Sequence, residues 1–209
     1  MGTAEEGQKE WVNGFLLVGN QIALDFLNTR LIDNGEAVEL LPDAVALEKW
    51  LATSGILISP KGKALVRHWR DGREAKSFLQ KLLAFRERLR AAVIRYEAGT
   101  SPGTAFLAEV NHLLHEHPIR IALSTRAGKL EREVISEPSC PEDIWAPIAA
   151  ATAELFSDVQ PSRVRKCESC IVHFHDISKK GSRRWCSMNI CGNKWKVAAY
   201  QRRNRAAQA

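Results

Sequence analysis

Four cysteines in the last fifth of the chain constrain its folding more than any other feature. The tail reads Cys167-Glu-Ser-Cys170, then fifteen residues, then Cys186, four further residues and Cys191. Two intervening residues let one tight turn present both sulfurs of the first pair to a single ion, and a second pair arriving after a short hairpin completes a tetrahedron. A segment this short and polar cannot fold on its own apolar surface. The spacing therefore predicts a closed four-thiolate Zn²⁺ site.

Other interpretations of the cysteines are weaker. Ordinary buried thiols need an apolar surrounding, which this polar segment lacks. A Cys-x2-Cys redox pair needs a helix N-terminus inside an α/β sheet, and the pattern supplies none. His173 and His175, between the two pairs, are alternative ligands, but with four thiols present we expect them to be solvated or hydrogen-bonded. The isolated Cys140 is expected to be a plain thiol.

Charge divides the chain into two parts. Residues 161–209 hold twelve Lys and Arg but only two acidic residues, a formal charge of +10, whereas the whole chain carries +6. The remaining part is therefore mildly acidic. We expect one domain over residues 1–160, a linker around Val159 to Ser162, and a basic module over residues 161–209. A basic segment of this density predicts contact with nucleic acid.

The basic module interleaves cations with aromatic side chains, a pattern suited to a phosphate backbone with occasional base stacking. We expect a helix starting near Asn193, without an apolar stripe that would bury it. The candidate nucleic-acid contacts are Arg183, Arg184, Trp185, Asn193, Lys194, Lys196, Arg202, Arg203 and Arg205. The alternatives are a solvated tail that binds nothing specific and a tail that pairs with acidic patches of the body.

The periodicity of the body predicts an α+β fold: a mostly helical N-terminal domain with a small antiparallel sheet, followed by a small treble-clef- or ribbon-like zinc finger. The strongest signal is a long amphipathic helix over Glu74–Tyr96. Two short strands around Gly19-Asn20, or one strand leading into a turn, are expected after Phe15. The other expected elements are a helix opening at Pro42-Asp43, a helix after Pro102, a hairpin of residues 119–123 and 130–135, and a helix from Pro141 to about Ser157.

Two segments resemble known families. Arg184-Trp-Cys186-Ser-Met-Asn-Ile-Cys191-Gly-Asn193 resembles the CGNR zinc finger. Ala23-Leu-Asp25-Phe-Leu-Asn28-Thr29 resembles the opening motif of the ABATE domain, and Arg86 and Arg90 resemble its arginine-rich helix. The resemblance implies a bacterial stress-response transcription regulator, in which a sensory or scaffold domain precedes a DNA-binding finger. Lys194 stands where the family has Arg, so a bidentate contact would be lost there.

Four polar residues of the body, Asp25, Asn28, Arg86 and Arg90, are candidates for a second site. Arg86 and Arg90 are four positions apart and share a helix face. One hypothesis is a pocket for a small anion that signals to the tail. The alternative, which we favour, is a partly buried ion pair that fixes a strand carrying Asp25 against the helix.

We expect a binding protein and not an enzyme, because a four-thiolate site has no open coordination position and the sequence shows no nucleophile or phosphate-loop motif. The alternatives to DNA are an RNA-binding or protein-interaction module and, less favoured, a hydrolase using Asp25, Asp33 and the histidines at 112, 115 and 117. Met1 to Lys9 contains no apolar stretch, so a cytoplasmic protein without membrane contact is expected. A homodimer would raise the affinity of a single finger.

Overall fold

The computed structural model describes residues 10–33, 36–126 and 128–206, apart from the side chains at 33, 126, 133, 198, 199 and 202–206. Within these ranges the α-helices are α1 Ile22–Leu27, α2 Ala44–Thr53, α3 Pro60–Trp69, α4 Arg73–Glu97, α5 Thr104–Glu116, α6 Trp145–Asp158 and α7 Asn193–Ala206. The strands are β1 Trp11–Val12, β2 Phe15–Leu16, β3 Arg30–Asp33, β4 Glu36–Glu39, β5 Arg120–Arg126, β6 Lys129–Ile135, β7 Val164–Lys166 and β8 His173–His175. None of the described helices combines the length and apolar content needed to cross a bilayer.

The strands form four separate two-stranded antiparallel sheets within the described ranges, in the order β1-β2, β3-β4, β5-β6 and β7-β8. The α+β class is confirmed, although the expected single small sheet is distributed over local hairpins. The β5-β6 hairpin forms where the sequence predicts it, with Arg126 opposite Lys129 at its turn. Each strand pairs with a sequence neighbour, so helices, and not a shared sheet, must hold the body together.

Helix α4 is the centre of that body. Its apolar face buries Phe78, Leu82, Phe85 and Leu89 completely, as its spacing of three and four residues predicts. Trp145, at the start of α6, packs edge-on against both Phe78 and Phe85, with ring centroids 5.4 and 5.3 Å apart. The helix thereby joins the N-terminal elements to α6.

Asp43 and Ser59 start the next two helices. Asp43 accepts a hydrogen bond from the Ala46 amide at 2.8 Å, and Ser59 accepts one from Gly62 at 2.9 Å. Asp43 and Ser59 are therefore the N-caps of α2 and α3, and each satisfies a backbone amide of the first helical turn. The start at Asp43 agrees with the expectation from Pro42-Asp43, whereas α3 was not anticipated because its apolar face is narrow.

Of the two alternatives around Gly19-Asn20, a strand leading into a turn agrees with β2 and the bend that follows it, whereas a second strand after Asn20 is wrong. The chain forms a two-residue turn at Asn13-Gly14, where φ is positive at both residues, and then the short helix α1. Asp25 therefore lies on a helix and not on a strand. The apolar residues of α1 are buried on several sides, so periodicity could not distinguish a short buried helix from a buried strand.

Two hydrophobic clusters form the core of the described part of the chain, and the smaller one extends from the body into the tail. It contains Leu16 and Val18 from the N-terminal segment together with Val172, Phe174 and three of the cysteines. The tail module therefore completes its core with residues contributed by the body.

Candidate metal centre and nucleic-acid interface

The four cysteine sulfurs of the tail converge on one point. Their Sγ atoms all lie within 4.8 Å of one another. The distance from Cys170 to Cys186 is 3.8 Å, and that from Cys186 to Cys191 is 3.6 Å, far longer than a disulfide bond. Tetrahedral Zn²⁺ with bonds of about 2.3 Å to sulfur requires S···S separations of about 3.8 Å. The donor set and its spacing fit Zn²⁺, and the four cysteines form the metal centre.

Electrostatics at this centre favour a bound cation. Hydrogen bonds among the thiols, of which the one with Cys170 has the largest effect, lower the pKa of Cys167 far below its usual range. Contacts with the Cys167 and Cys170 sulfurs, together with burial, raise the pKa values of Cys186 and Cys191 well above their usual range. Four sulfurs this close cannot all ionise without a compensating charge, which a divalent metal ion supplies when bound.

Backbone hydrogen bonds hold the two cysteine pairs. The Cys167 amide donates to Val172 O at 2.8 Å and closes the tight turn around the first pair. Ser187 accepts from the amides of Asn189 and Ile190 and caps a π-helical turn over Met188–Gly192, which carries the second pair into α7. A Cβ at Gly192 would lie 2.7 Å from Met188 Sδ, so a larger residue there would displace the end of this exposed side chain.

Buried Asp176 organises the loop between the pairs. It accepts hydrogen bonds from the Ser178 and Arg183 amides at 3.0 and 2.8 Å. Burial opposes its ionisation, but these hydrogen bonds and the nearby Arg165 hold its pKa below the usual range. The turn itself is at Gly181, where φ is +59°. Strand β8 pairs with β7, with Val164 opposite His175. The expected hairpin between the two cysteine pairs is therefore wrong, because β8 does not pair with the segment that leads to Cys186.

An aromatic and cationic surface adjoins the metal centre. The rings of Trp185 and Trp195 lie 5.6 Å apart, and the Arg184 guanidinium lies 5.0 and 5.3 Å from them. Arg184 also pairs with Glu168, while Arg183 donates to Trp185 O and lies over Phe174. Two of the candidate contact arginines therefore already have partners within the protein.

Helix α7 presents the other candidate contacts. Asn193, Lys194 and Lys196 are exposed at its start, and Trp195 is 38% exposed. The helix includes the backbone of Arg202, Arg203 and Arg205, but their side chains lie outside the described residues.

The metal module is docked on the body through α1 and the loop before it. The Asn28 side chain donates to His173 O at 2.8 Å and accepts from His173 N at 3.0 Å. The His175 amide donates to Gly19 O, and the Asn20 side chain donates to His175 O, at 2.8 and 2.9 Å. Strand β8 is thus hydrogen-bonded to body residues at both ends.

Asp25 holds the loop that receives β8. Its Oδ1 accepts from the Gly19 amide at 2.7 Å, and a Cβ at Gly19 would lie 2.8 Å from that oxygen. Burial raises the pKa of Asp25 to about 6, although the backbone donors at Gly19 and Val18 oppose this. Asp25 is therefore an anchor for backbone amides and has no contact with Arg86 or Arg90 among its described hydrogen bonds.

Arg86 and Arg90 bind other protein groups. Arg86 is 1% exposed and forks onto the Glu39 carboxylate while donating to Thr29 Oγ1 at 2.7 Å. Arg90 donates to Leu27 O at 2.8 Å and contacts Glu87. Arg86 thus forms a buried pair that holds hairpin β3-β4 on α4. An ion pair does join a strand to the helix, but the acidic partner of Arg86 is Glu39 on β4 and not Asp25.

His173 differs from the expectation for a solvated or hydrogen-bonded side chain. It is 2% exposed, and Nε2 lies 3.5 Å from Glu97 Oε2. Neither ring nitrogen has a hydrogen-bond partner among the described residues. Burial, assisted by Arg90 and Lys166, lowers its pKa to about 4, so the ring is neutral at pH 7. Glu97 meanwhile accepts from the Lys166 amide at 2.7 Å and joins the end of α4 to β7.

The sequence did not indicate the body residues that receive the module. Leu16, Val18, Asn20 and Glu97 are all distant in sequence from the cysteines. Asn28 and Asp25, which holds the loop that receives β8, both belong to the Ala23–Thr29 motif. The alternating apolar residues Leu16 and Val18 indicate burial, but the sequence does not show that they pack against the zinc module.

Comparisons with family models agree with this architecture. Residues 20–159 match the ABATE family, described as "Putative stress-induced transcription regulator", and residues 163–204 match the CGNR zinc finger. The chain therefore belongs to the ABATE family and carries a CGNR zinc finger. No curated protein matches the chain.

Proposed function

We propose that the chain is a DNA-binding regulator in which residues 161–209 contact duplex DNA and residues 1–160 act as scaffold. One observation carries the proposal: α7 begins at the metal centre and projects exposed side chains, among them Lys194, Lys196 and Tyr200. The module carries a formal charge of +10 before its thiolates and metal are counted. A rigidly anchored basic helix is a common means of entering a DNA groove.

The proposal assigns binding and not catalysis to the metal. Four thiolates saturate a tetrahedral ion and leave no position for water or substrate. The metal then supplies folding free energy to a segment whose own apolar cluster is small, and it fixes the direction of α7.

In this proposal Asp25 and Asn28 have a structural role. They hold β8 and so fix the position of the zinc module relative to α4. An anion at Arg86 would have to displace Glu39, and one at Arg90 would compete with Leu27 O. We therefore propose structural roles for both arginines and include no small effector. Homodimerisation through the body and a cytoplasmic location remain predictions, the first testable by sedimentation.

Titration of fluorescent 20-base-pair duplexes with zinc-loaded full chain at several salt concentrations tests the proposal. Each phosphate contact should contribute about −0.9 to the slope of log K against log salt. The double variant Lys194→Ala/Lys196→Ala should lower affinity and flatten this slope by one to two contacts. Lys76→Ala/Lys81→Ala, which removes two exposed lysines from α4, is the matched control and should change neither.

The runner-up is an RNA-binding module, favoured by the Trp185 and Trp195 rings near the surface, since single strands stack on such rings. Parallel titrations with single-stranded RNA separate the two. Tighter binding to RNA than to duplex DNA, or the absence of any duplex binding at low salt, contradicts the proposal.

A further inference from the structure

Four residues of the finger form a stripe with an unusual composition for a surface helix. Asn189, Asn193, Val197 and Gln201 are spaced four apart, from the π-helical turn into α7. With Lys194 they line a shallow groove of about 440 Å³. Side chains at this spacing lie on one helix face. We call this set the amide stripe.

The side-chain amides of the stripe make no hydrogen bond to any other described residue. In the described part of the chain, the side chains of Asn189, Asn193 and Gln201 have no hydrogen-bond partner. The body uses its amides differently, since Asn20 and Asn28 both donate to backbone carbonyls of β8. The stripe therefore offers three unused donor and acceptor pairs at the surface.

Neighbouring side chains orient the helix and flank the stripe with charge. At about 100° per residue, Trp195 lies on the side opposite Asn193, where it packs on Trp185. Lys194 and Lys196 fall on the two edges of the stripe by the same geometry. The helix thus packs on the metal module by one side and exposes amides between two cations on the other.

We propose that the amide stripe reads A·T base pairs in the major groove of duplex DNA. Asn and Gln pair bidentately with adenine N6 and N7, and an aliphatic side chain such as Val197 contacts the thymine methyl group. The flanking lysines suit the two phosphate backbones that border the groove. The partner is duplex DNA and not duplex RNA, whose narrow major groove excludes side chains.

The length of the stripe sets the size of the site. From Asn193 to Gln201 the helix rises about 12 Å, which corresponds to three or four base pairs. A site of this size containing adenine and thymine is therefore expected. This inference rests on the proposed DNA binding, and its test is designed so that the two can fail separately.

The first stage is selection of zinc-loaded full chain on a pool of randomised 20-base-pair duplexes. The enriched duplex is then remade with 7-deaza-2′-deoxyadenosine for adenosine, which removes N7 but leaves Watson–Crick pairing unchanged. A third version carries deoxyuridine for thymidine, which removes only the methyl group. We expect an A·T-containing site, with affinity reduced roughly 2- to 12-fold for each contacted adenine by the deaza substitution, which removes one of two hydrogen bonds, and less by the uridine substitution.

Variants assign the effect to residues. Asn193→Ala and Gln201→Ala should relax the preference for the selected site while leaving affinity for unrelated duplexes almost unchanged, and each should reduce the penalty of the deaza substitution. Val197→Ala should do the same for deoxyuridine. Asn111→Ala, an exposed amide on α5, is the matched control and should retain the wild-type pattern.

Two results would overturn the stripe but leave DNA binding standing. One is a selected site whose affinity is indifferent to both base modifications and to the three stripe variants. The other is salt-dependent binding of all duplexes with no enriched sequence. Absence of duplex binding, or preference for single-stranded RNA, overturns the stripe and the proposed function together.

Discussion

The Asn28 side chain and the His173 backbone exchange two hydrogen bonds across 145 positions of sequence, with the amide donating at 2.8 Å and accepting at 3.0 Å. The amide thus behaves like the edge of a neighbouring strand. Because Asn28 ends α1 and His173 starts β8, this pair joins the body to the metal module. A residue near the start of the ABATE match thus contacts the zinc finger directly.

Asn28→Ala should loosen this junction without unfolding the body. The substitution leaves the buried His173 amide and carbonyl without partners, which costs about 1–3 kcal/mol each at most. Hydrogen exchange by mass spectrometry should show faster exchange in β8 and in the Gly19 loop, with α4 unchanged. Asn111→Ala is the control. Equal exchange in wild type and variant would show that the junction does not depend on this amide.

Stability should depend on pH through Asp25 and His173 in opposite directions. The pKa of Asp25 is raised to about 6, so its contribution to stability is lost as pH rises from about 4 to 6. The pKa of His173 is lowered to about 4 from 6.5, so its contribution is lost as pH falls through that interval. The two slopes should largely cancel in the wild type.

Single variants should expose each slope. Between pH 5 and 6.5, Asp25→Asn should make the free energy of unfolding rise more steeply with pH than in wild type, and His173→Leu should make it fall. Each difference should be on the order of 1–2 kcal/mol. Urea titration followed by tryptophan fluorescence at saturating zinc measures it. Parallel pH profiles for all three proteins would refute the assignment.

Removal of zinc should loosen the N-terminal segment as well as the finger. Leu16 and Val18 share a cluster with three of the cysteines, so loss of the metal removes packing from both sides. After chelation, amide exchange should accelerate at residues 15–20 and 164–192 but not in α4. Restoration of zinc should reverse the change. Acceleration confined to the finger would contradict a shared core.

Two arginines of α4 should differ greatly in their importance. Arg86 is 1% exposed and bound by Glu39 and Thr29, so Arg86→Ala leaves a partner unpaired and should cost about 3–5 kcal/mol. Arg88 pairs with Glu109 in a half-exposed position, and Arg88→Ala should cost about 0–1 kcal/mol. Urea denaturation measures both free energies of unfolding.

Arg86→Lys should recover only part of the stability lost in Arg86→Ala, because lysine cannot form two hydrogen bonds to the Glu39 carboxylate. Similar costs for Arg86→Ala and Arg88→Ala would contradict the buried pair.

The metal centre and much of the fold were predictable because their signals are local. Ligand number and spacing specify a tetrahedral site within one short segment, and the 3.6-residue period over Glu74–Tyr96 indicates one buried helix face. The cap at Asp43 and the β5-β6 hairpin are likewise determined by a few adjacent residues. For these elements, each residue type favours one local structure, and tertiary packing agrees with that preference.

Residue types and their spacing are enough to predict that four thiols hold a metal, that a basic helix follows, and that α4 supplies the main core. Three features depend instead on how distant parts of the chain pack: Ile22–Leu27 is a helix, Arg86 pairs with Glu39 and not Asp25, and Asn28 receives β8. A short segment that is buried on all sides shows no hydrophobic periodicity, so its secondary structure cannot be predicted from the pattern. A charged side chain pairs with the opposite charge that the packing places nearest to it. Such choices depend on distances between residues far apart in the chain, which spacing along the chain does not contain.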